Sequence, residues 1–388
     1  MRRPSVLSTG PLLAAVWLAA ATPACNSLEG GAYRRQRLVQ TDITHRAFVQ
    51  PRWRRTLRDH HIFTYMPEEF AGAGASHGGE RVYIGTGAGR LYCFQASSGA
   101  VIWELLLGGA ISAPPLIVER LGMLFIGSAD GVMSAIELET GKRKWLYRTK
   151  GVAYRAPVYA DGVIYFANHR DKVYSLDART GRWRWSYDRE TPESFTVAGH
   201  SRPVIYKDNL YVGFSDGMIV CLGARGGNAR WTRSLAGSSK EYVDVDSTPV
   251  IHNDVLYVSS FSGGLYALTA DGGALRWRFP VRGASTVAVS ADRIYFATPR
   301  EGLHALDLEG NLRWRQRVEA GTPRLPQVRG RALYVSFSEG GLMVIDRLTG
   351  KLIQSFNPGG GISGPSLITR DSLYVLSNRG HFYALTLK

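Results

Sequence analysis

One short pattern returns eight times along the 388-residue chain, and it narrows the possible folds more than any single residue does. Each copy opens a strand with an aromatic residue, then an apolar one, then in most copies a small one. The starts are Tyr83-Ile84-Gly85, Phe125-Ile126-Gly127, Tyr165-Phe166-Ala167, Tyr211-Val212-Gly213, Tyr257-Val258-Ser259, Tyr295-Phe296-Ala297, Tyr334-Val335-Ser336 and Tyr374-Val375-Leu376. A turn follows, then a strand of the type Leu265-Tyr266-Ala267-Leu268, and in most copies a Gly-x-x-x-Trp. The spacing is about 40 residues, the length of one four-stranded propeller blade. Length alone would suggest two or three domains. The repeat predicts a single all-β ring instead, an eight-bladed β-propeller over residues 51–388.

The order inside a blade is readable. A Ser/Thr-x-Pro-like element opens several inner strands, as in Ser112-Ala113-Pro114, Arg155-Ala156-Pro157, Ser201-Arg202-Pro203, Ser247-Thr248-Pro249 and Ser363-Gly364-Pro365. Turns such as Asp161-Gly162, Asn253-Asp254 and Asp216-Gly217 separate the strands. No segment of the ring carries a sustained helical period.

The Gly/Trp pairs are 99/103, 141/145, 181/185, 227/231, 273/277 and 310/314. A Trp at a fixed blade position buries a large area, and Gly permits close approach of a neighbouring backbone. The pattern therefore predicts inter-blade staples. After Gly350 the Trp position holds Gln354, which predicts a missing staple and a softer seam. The eighth copy ends at Lys388 before any outer strand, and Arg52-Trp53-Arg54-Arg55-Thr56-Leu57 reads as that strand. Pairing the two ends would close the ring and remove its open edges.

Residues 1–24 read as a secretory signal: Arg2 and Arg3, then the apolar stretch Pro11–Ala21, then Thr22-Pro23-Ala24-Cys25. Ala24-Cys25 resembles a bacterial lipobox, although Thr22 and Pro23 depart from the usual pattern. Ordinary cleavage near Ala24 is the alternative. Lipidation of Cys25 would give multi-chain anchoring to a membrane. Asn26, by resemblance to Gram-negative sorting rules, points to the outer membrane. Residues 25–50 form the expected tether.

The net charge is +15, or +13 without Arg2 and Arg3. Excess basic charge suits nucleic acid, anionic lipid or an acidic partner. Here the basic residues are scattered, and a secreted address argues against nucleic acid. Cys93 and Cys221 share one repeat position, otherwise filled by Ala135, Ser175, Ala267, Ala305, Val344 and Ala384. They read as buried free thiols in blades 1 and 4, too far apart for a disulfide.

Asp177-Ala178-Arg179-Thr180-Gly181-Arg182-Trp183-Arg184-Trp185 resembles the tryptophan-docking motif of quinoprotein dehydrogenases. Those enzymes also carry adjacent cysteines beside the cofactor, long insertions and acidic calcium ligands, whereas this chain has no Cys-Cys pair and short loops. No His or Cys pair has metal-ligand spacing, and neither a nucleophile elbow nor a P-loop is present. The expectation is a non-enzymatic protein without cofactor or metal.

A signal ending in Cys, a tether and eight such blades together resemble the BamB family, lipoproteins of the outer-membrane β-barrel assembly machinery. The segment Tyr242-Val243-Asp244-Val245-Asp246-Ser247-Thr248-Pro249-Val250 matches that family's Asp-Val-Asp-x-Thr-Pro. The resemblance implies that Asp244 and Asp246 contact the barrel subunit's periplasmic POTRA repeats. In an extended segment the two carboxylates would point the same way and could clamp a partner Arg or Lys. The local alternative is a turn hydrogen bond before Pro249. The family's second contact loop corresponds to Phe195-Thr196-Val197-Ala198-Gly199-His200, where Phe195 and Val197 keep its apolar pattern but Ala198 replaces an Arg.

The resulting expectation is a scaffold lipoprotein at the periplasmic face of the outer membrane. It would bind the POTRA repeats and, in addition, unfolded outer-membrane proteins. The rivals are a ligand-binding or enzymatic propeller and a generic surface lipoprotein.

Overall fold

The computed structural model describes residues 48–57, 71–75, 79–153, 155–189, 201–237 and 242–388. They form eight separate four-stranded antiparallel sheets. Blades 1 to 7 cover residues 73–106, 116–148, 158–188, 204–234, 250–279, 288–316 and 327–356, each running in order from inner to outer strand. Blade 8 takes its inner three strands from Leu367–Ile368, Ser372–Leu376 and His381–Leu387. Its outer strand is Val49–Thr56, paired from Val49↔Leu387 to Thr56↔His381. The expected closure by the N-terminal segment is therefore found, with the strand beginning two residues before the expected Pro51.

Burial follows strand position. The second strand of each blade is apolar on both faces, and Met123–Gly127, Val163–Ala167 and Ile294–Thr298 are buried throughout. A strand covered on both sides reads as a continuous apolar run, because neighbouring blades pack on each face. Outer strands instead alternate exposed with part-buried residues, as in Val101–Leu106 and Arg143–Arg148. The core thus lies between blades. One such layer joins Trp53, Tyr374 and Phe382 of blade 8 to Ile84, Tyr92 and Phe94 of blade 1.

The staple joins one repeat to the next, and each Gly receives the Trp of the blade before it. Trp53 lies over Gly99, Trp103 over Gly141 and Trp145 over Gly181. A Cβ added at Gly181 would stand 2.7 Å from the Trp145 ring. Each indole N–H also donates to a carbonyl of the following blade, such as Trp53 to Ala96 at 2.8 Å and Trp103 to Leu138 at 2.9 Å.

Gln354 corrects the expectation of a missing staple. Its amide hydrogen-bonds the main chain of Val49 in both directions. Val49 lies four residues before Trp53 and so fills the Gly position of the eighth motif. Its side chain would meet an indole approaching as the others do, whereas an amide fits and replaces the stacking with hydrogen bonds.

Candidate partner-binding site

The Asp-Val-Asp segment is held from its middle. Val245 is fully buried, and its N–H donates to the Phe214 carbonyl of blade 4 at 3.0 Å. Gly213 makes room for it, since a Cβ there would meet the Val245 carbonyl oxygen at 2.4 Å. On the C-terminal side, Ser247 Oγ accepts from the Ser259 N–H at 2.8 Å and donates to the Ser259 carbonyl at 3.0 Å. The Thr248 N–H reaches Thr286 Oγ1 of blade 6 at 2.9 Å. The segment is thus a non-strand lead-in to Val250–His252, tied toward blades 4, 5 and 6 by main-chain and hydroxyl hydrogen bonds.

The two aspartates have different surroundings. Asp244 is fully buried, and its carbonyl accepts the Phe261 N–H at 2.9 Å. Asp246 keeps part of its surface exposed. Burial pushes the Asp246 carboxyl up to about 6, opposed by the Arg155 guanidinium and reinforced by the Asp244 charge. Arg155 stands three residues before the inner strand of blade 3, so this electrostatic influence reaches between the lead-ins of blades 3 and 5. Phe195, Val197, Ala198 and Cys25 lie outside the described residues.

Sequence reasoning passed over several neighbours of this segment. Asp171 occupies a left-handed turn position, at φ +53°, where the other repeats use glycine, such as Gly131 and Gly217. Its buried carboxylate accepts from Ser215 Oγ and from the Ser215 N–H of blade 4. Burial raises its pKa, and Asp216 and Asp244 push it the same way. Arg189 Nε meets Asp216 Oδ2 at 2.7 Å. Tyr242, at φ +52°, is 42% exposed and sits with its ring 6.1 Å from that of Phe261. Tyr242 is thus a non-glycine residue in the left-handed region whose ring is open to solvent. The signals were available as departures from the repeat: Asp171 for Gly, and Arg155 for Ser.

Cys93 and Cys221 are buried and unlinked, and burial pushes both thiols up to about 11. Among the described residues no group of three or more His, Cys, Asp or Glu could hold a metal ion.

The family model described as "Outer membrane protein assembly factor BamB" matches residues 50–152, 121–309 and 263–388. A curated relative bearing that description, from Nitrosomonas eutropha, is 24% identical over 176 residues, 44% of this chain and 39% of the relative. The matched stretch thus spans about two fifths of that relative's length. Among solved structures, BamB from Moraxella catarrhalis superposes with a TM-score of 0.74 at 18% identity, covering 81% of this chain and 96% of that one. A quinohemoprotein alcohol dehydrogenase from Pseudomonas putida superposes at 0.68 with 12% identity, covering 87% of this chain and 76% of the enzyme. The propeller is therefore shared with enzymes, and fold alone does not decide function. The family model spans nearly the whole ring, and the chain belongs to the BamB family of outer membrane protein assembly factors.

Proposed function

We propose that this chain is a non-enzymatic scaffold lipoprotein of outer-membrane β-barrel protein assembly. It would be held by lipid on Cys25 at the periplasmic face of the outer membrane. The observation that carries the reading is the match of the family model from residue 50 to residue 388. The partner is the barrel-assembly subunit, met through its POTRA repeats, with unfolded outer-membrane proteins as further ligands. Its contact surface takes in the Asp-Val-Asp segment and the loop bearing Phe195 and Val197.

The difference in burial supports different roles for the two aspartates. Asp246 reaches solvent and supplies the charge that a partner Arg or Lys would meet. Asp244, fully buried, sets the shape and field of the segment from beneath. Tyr242 adds an exposed ring two residues away. An aromatic beside a carboxylate is a common form of interface anchor.

The test is affinity purification of the tagged, membrane-extracted native chain, with its partners identified by mass spectrometry. Recovery of the barrel-assembly subunit supports the reading, and its absence from intact protein refutes it. Asp246→Asn and Tyr242→Ala then locate the surface: each is expected to weaken association at least tenfold while thermal unfolding stays cooperative. Full association by both folded variants would move the contact away from this segment.

A further inference from the structure

The inner strands of blades 3 and 4 touch, and Arg202 lies two residues before the inner strand of blade 4. At the position two residues before the partner of the repeat's aromatic residue, seven copies carry Gly72, Pro114, Ala156, Thr248, Thr286, Leu325 and Pro365. Blade 4 alone carries a charge there, Arg202. One residue earlier blades 4, 5 and 6 have Ser201, Ser247 and Ser285, whereas blades 3 and 7 have Arg155 and Arg324. Serine is enough for the local architecture, as the Ser247–Ser259 bonds show. Neither Arg155 nor Arg202 is needed to build its blade.

The Arg202 guanidinium reaches back toward blade 3, where Nη2 donates to the Pro157 carbonyl at 3.4 Å, two residues from Arg155. Its Nε is buried without a hydrogen-bond acceptor among the described residues. Burial lowers the pKa of both guanidiniums, and only Arg155 has a carboxylate, Asp246, acting against that. One carbonyl at the far limit of hydrogen-bond distance does not offset the desolvation of a guanidinium. A planar fork of donors matches a carboxylate or phosphate group.

We infer that Arg202 forms an anion-binding site between blades 3 and 4, taking a carboxylate or phosphate group. Arg155 already feels the Asp246 charge, which leaves Arg202 as the principal donor. The inference does not depend on the assembly role.

The experiment is isothermal titration of the full chain with inorganic phosphate and, separately, with succinate, at fixed ionic strength. Saturable binding of either by the wild type, weakened at least tenfold in Arg202→Met and in Arg202→Lys, is expected. Arg230→Met on the outer strand of blade 4 serves as the charge control and should bind as the wild type does. Without added anion, Arg202→Met should melt at or above the wild-type temperature, because a buried cation has been removed. Non-saturating heats, equal binding by Arg202→Met, or an equal loss in Arg230→Met would overturn the site. So would an anion-free Arg202→Met that melts well below the wild type, which would make the arginine structural.

Discussion

The side-chain amide of Gln354 clasps Val49, accepting its N–H at 3.0 Å and donating to its carbonyl at 2.9 Å. This pair spans blade 7 and the strand that completes blade 8, where the other seams use an indole over a glycine. The two substitutions belong together, since Val49 excludes the indole and Gln354 supplies what Val49 can accept.

Gln354→Ala should therefore destabilise the protein by about 1–3 kcal/mol, because it leaves two buried main-chain groups of Val49 unpaired. Gln354→Trp alone should be no better, for lack of space at Val49. The double variant Val49→Gly with Gln354→Trp should recover part of the loss. Urea unfolding of the four proteins gives the coupling energy directly.

The glycine under a staple should be far less replaceable than one in an open turn. Gly181 and Gly162 both have positive φ, +72° and +81°. An added Cβ meets the Trp145 ring at Gly181 and nothing within 4 Å at Gly162. Gly162→Ala should cost about 1 kcal/mol for backbone strain. Gly181→Ala should cost at least about 2 kcal/mol more, as it also separates two blades. Denaturant midpoints measure the difference.

Asp246 should give stability a slope in mildly acidic solution. Its pKa is raised by folding from an ordinary value near 3.8 to about 6. A raised folded-state pKa adds stability below the unfolded value, and that stability is lost as pH rises through the folded value. Between pH 4 and pH 6 the wild type should lose stability relative to its own value at pH 4. Asp246→Asn should lack this component. The difference between the two stability–pH curves isolates it from the other carboxylates.

His304 should act in the opposite direction. Its ring is 1% exposed and stacks on Phe296 at 4.8 Å. Phe279 closes its edge, and Glu301 stands 3.6 Å from Nε2, with Arg315 bonded to the same carboxylate. Burial holds the imidazole below its ordinary value, with Glu301 opposing. The neutral ring is thus favoured by folding. Its contribution is complete above about pH 6.5 and is lost as pH falls through the lowered folded value. His304→Phe should flatten stability in that range, as thermal melts between pH 5 and pH 7.5 would read.

The blades and their closure were legible because each repeat states its strands in aromatic, β-branched and glycine chemistry at fixed intervals. The direction of the staple was not. Gly99 and Trp103 are neighbours in sequence, but Gly99 receives Trp53, and only packing across the seam reveals that. The two aspartates were legible as a pair, and their division was not. Asp244 is enclosed where Val245 is drawn down onto Gly213 and Phe214, elements of a different blade. Asp171 hides in the sequence as an ordinary turn residue until the glycines of the other copies are set beside it.

The last strand of the ring is also its first to be made. Val49–Thr56 pairs with His381–Leu387, more than 320 residues later in the chain. Before that pairing, Trp53 and Arg55 can engage blade 1 through Ala96, Ser98 and Gly99, all about 45 residues away. Contacts at so short a separation close far more readily than the terminal pairing does. As the chain emerges, blade 1 can therefore hold the first strand in position as a waiting template, and the final residues complete the ring by adding to an edge already in place. A chain cut short before His381 would leave that edge unsatisfied, open to strands from other molecules.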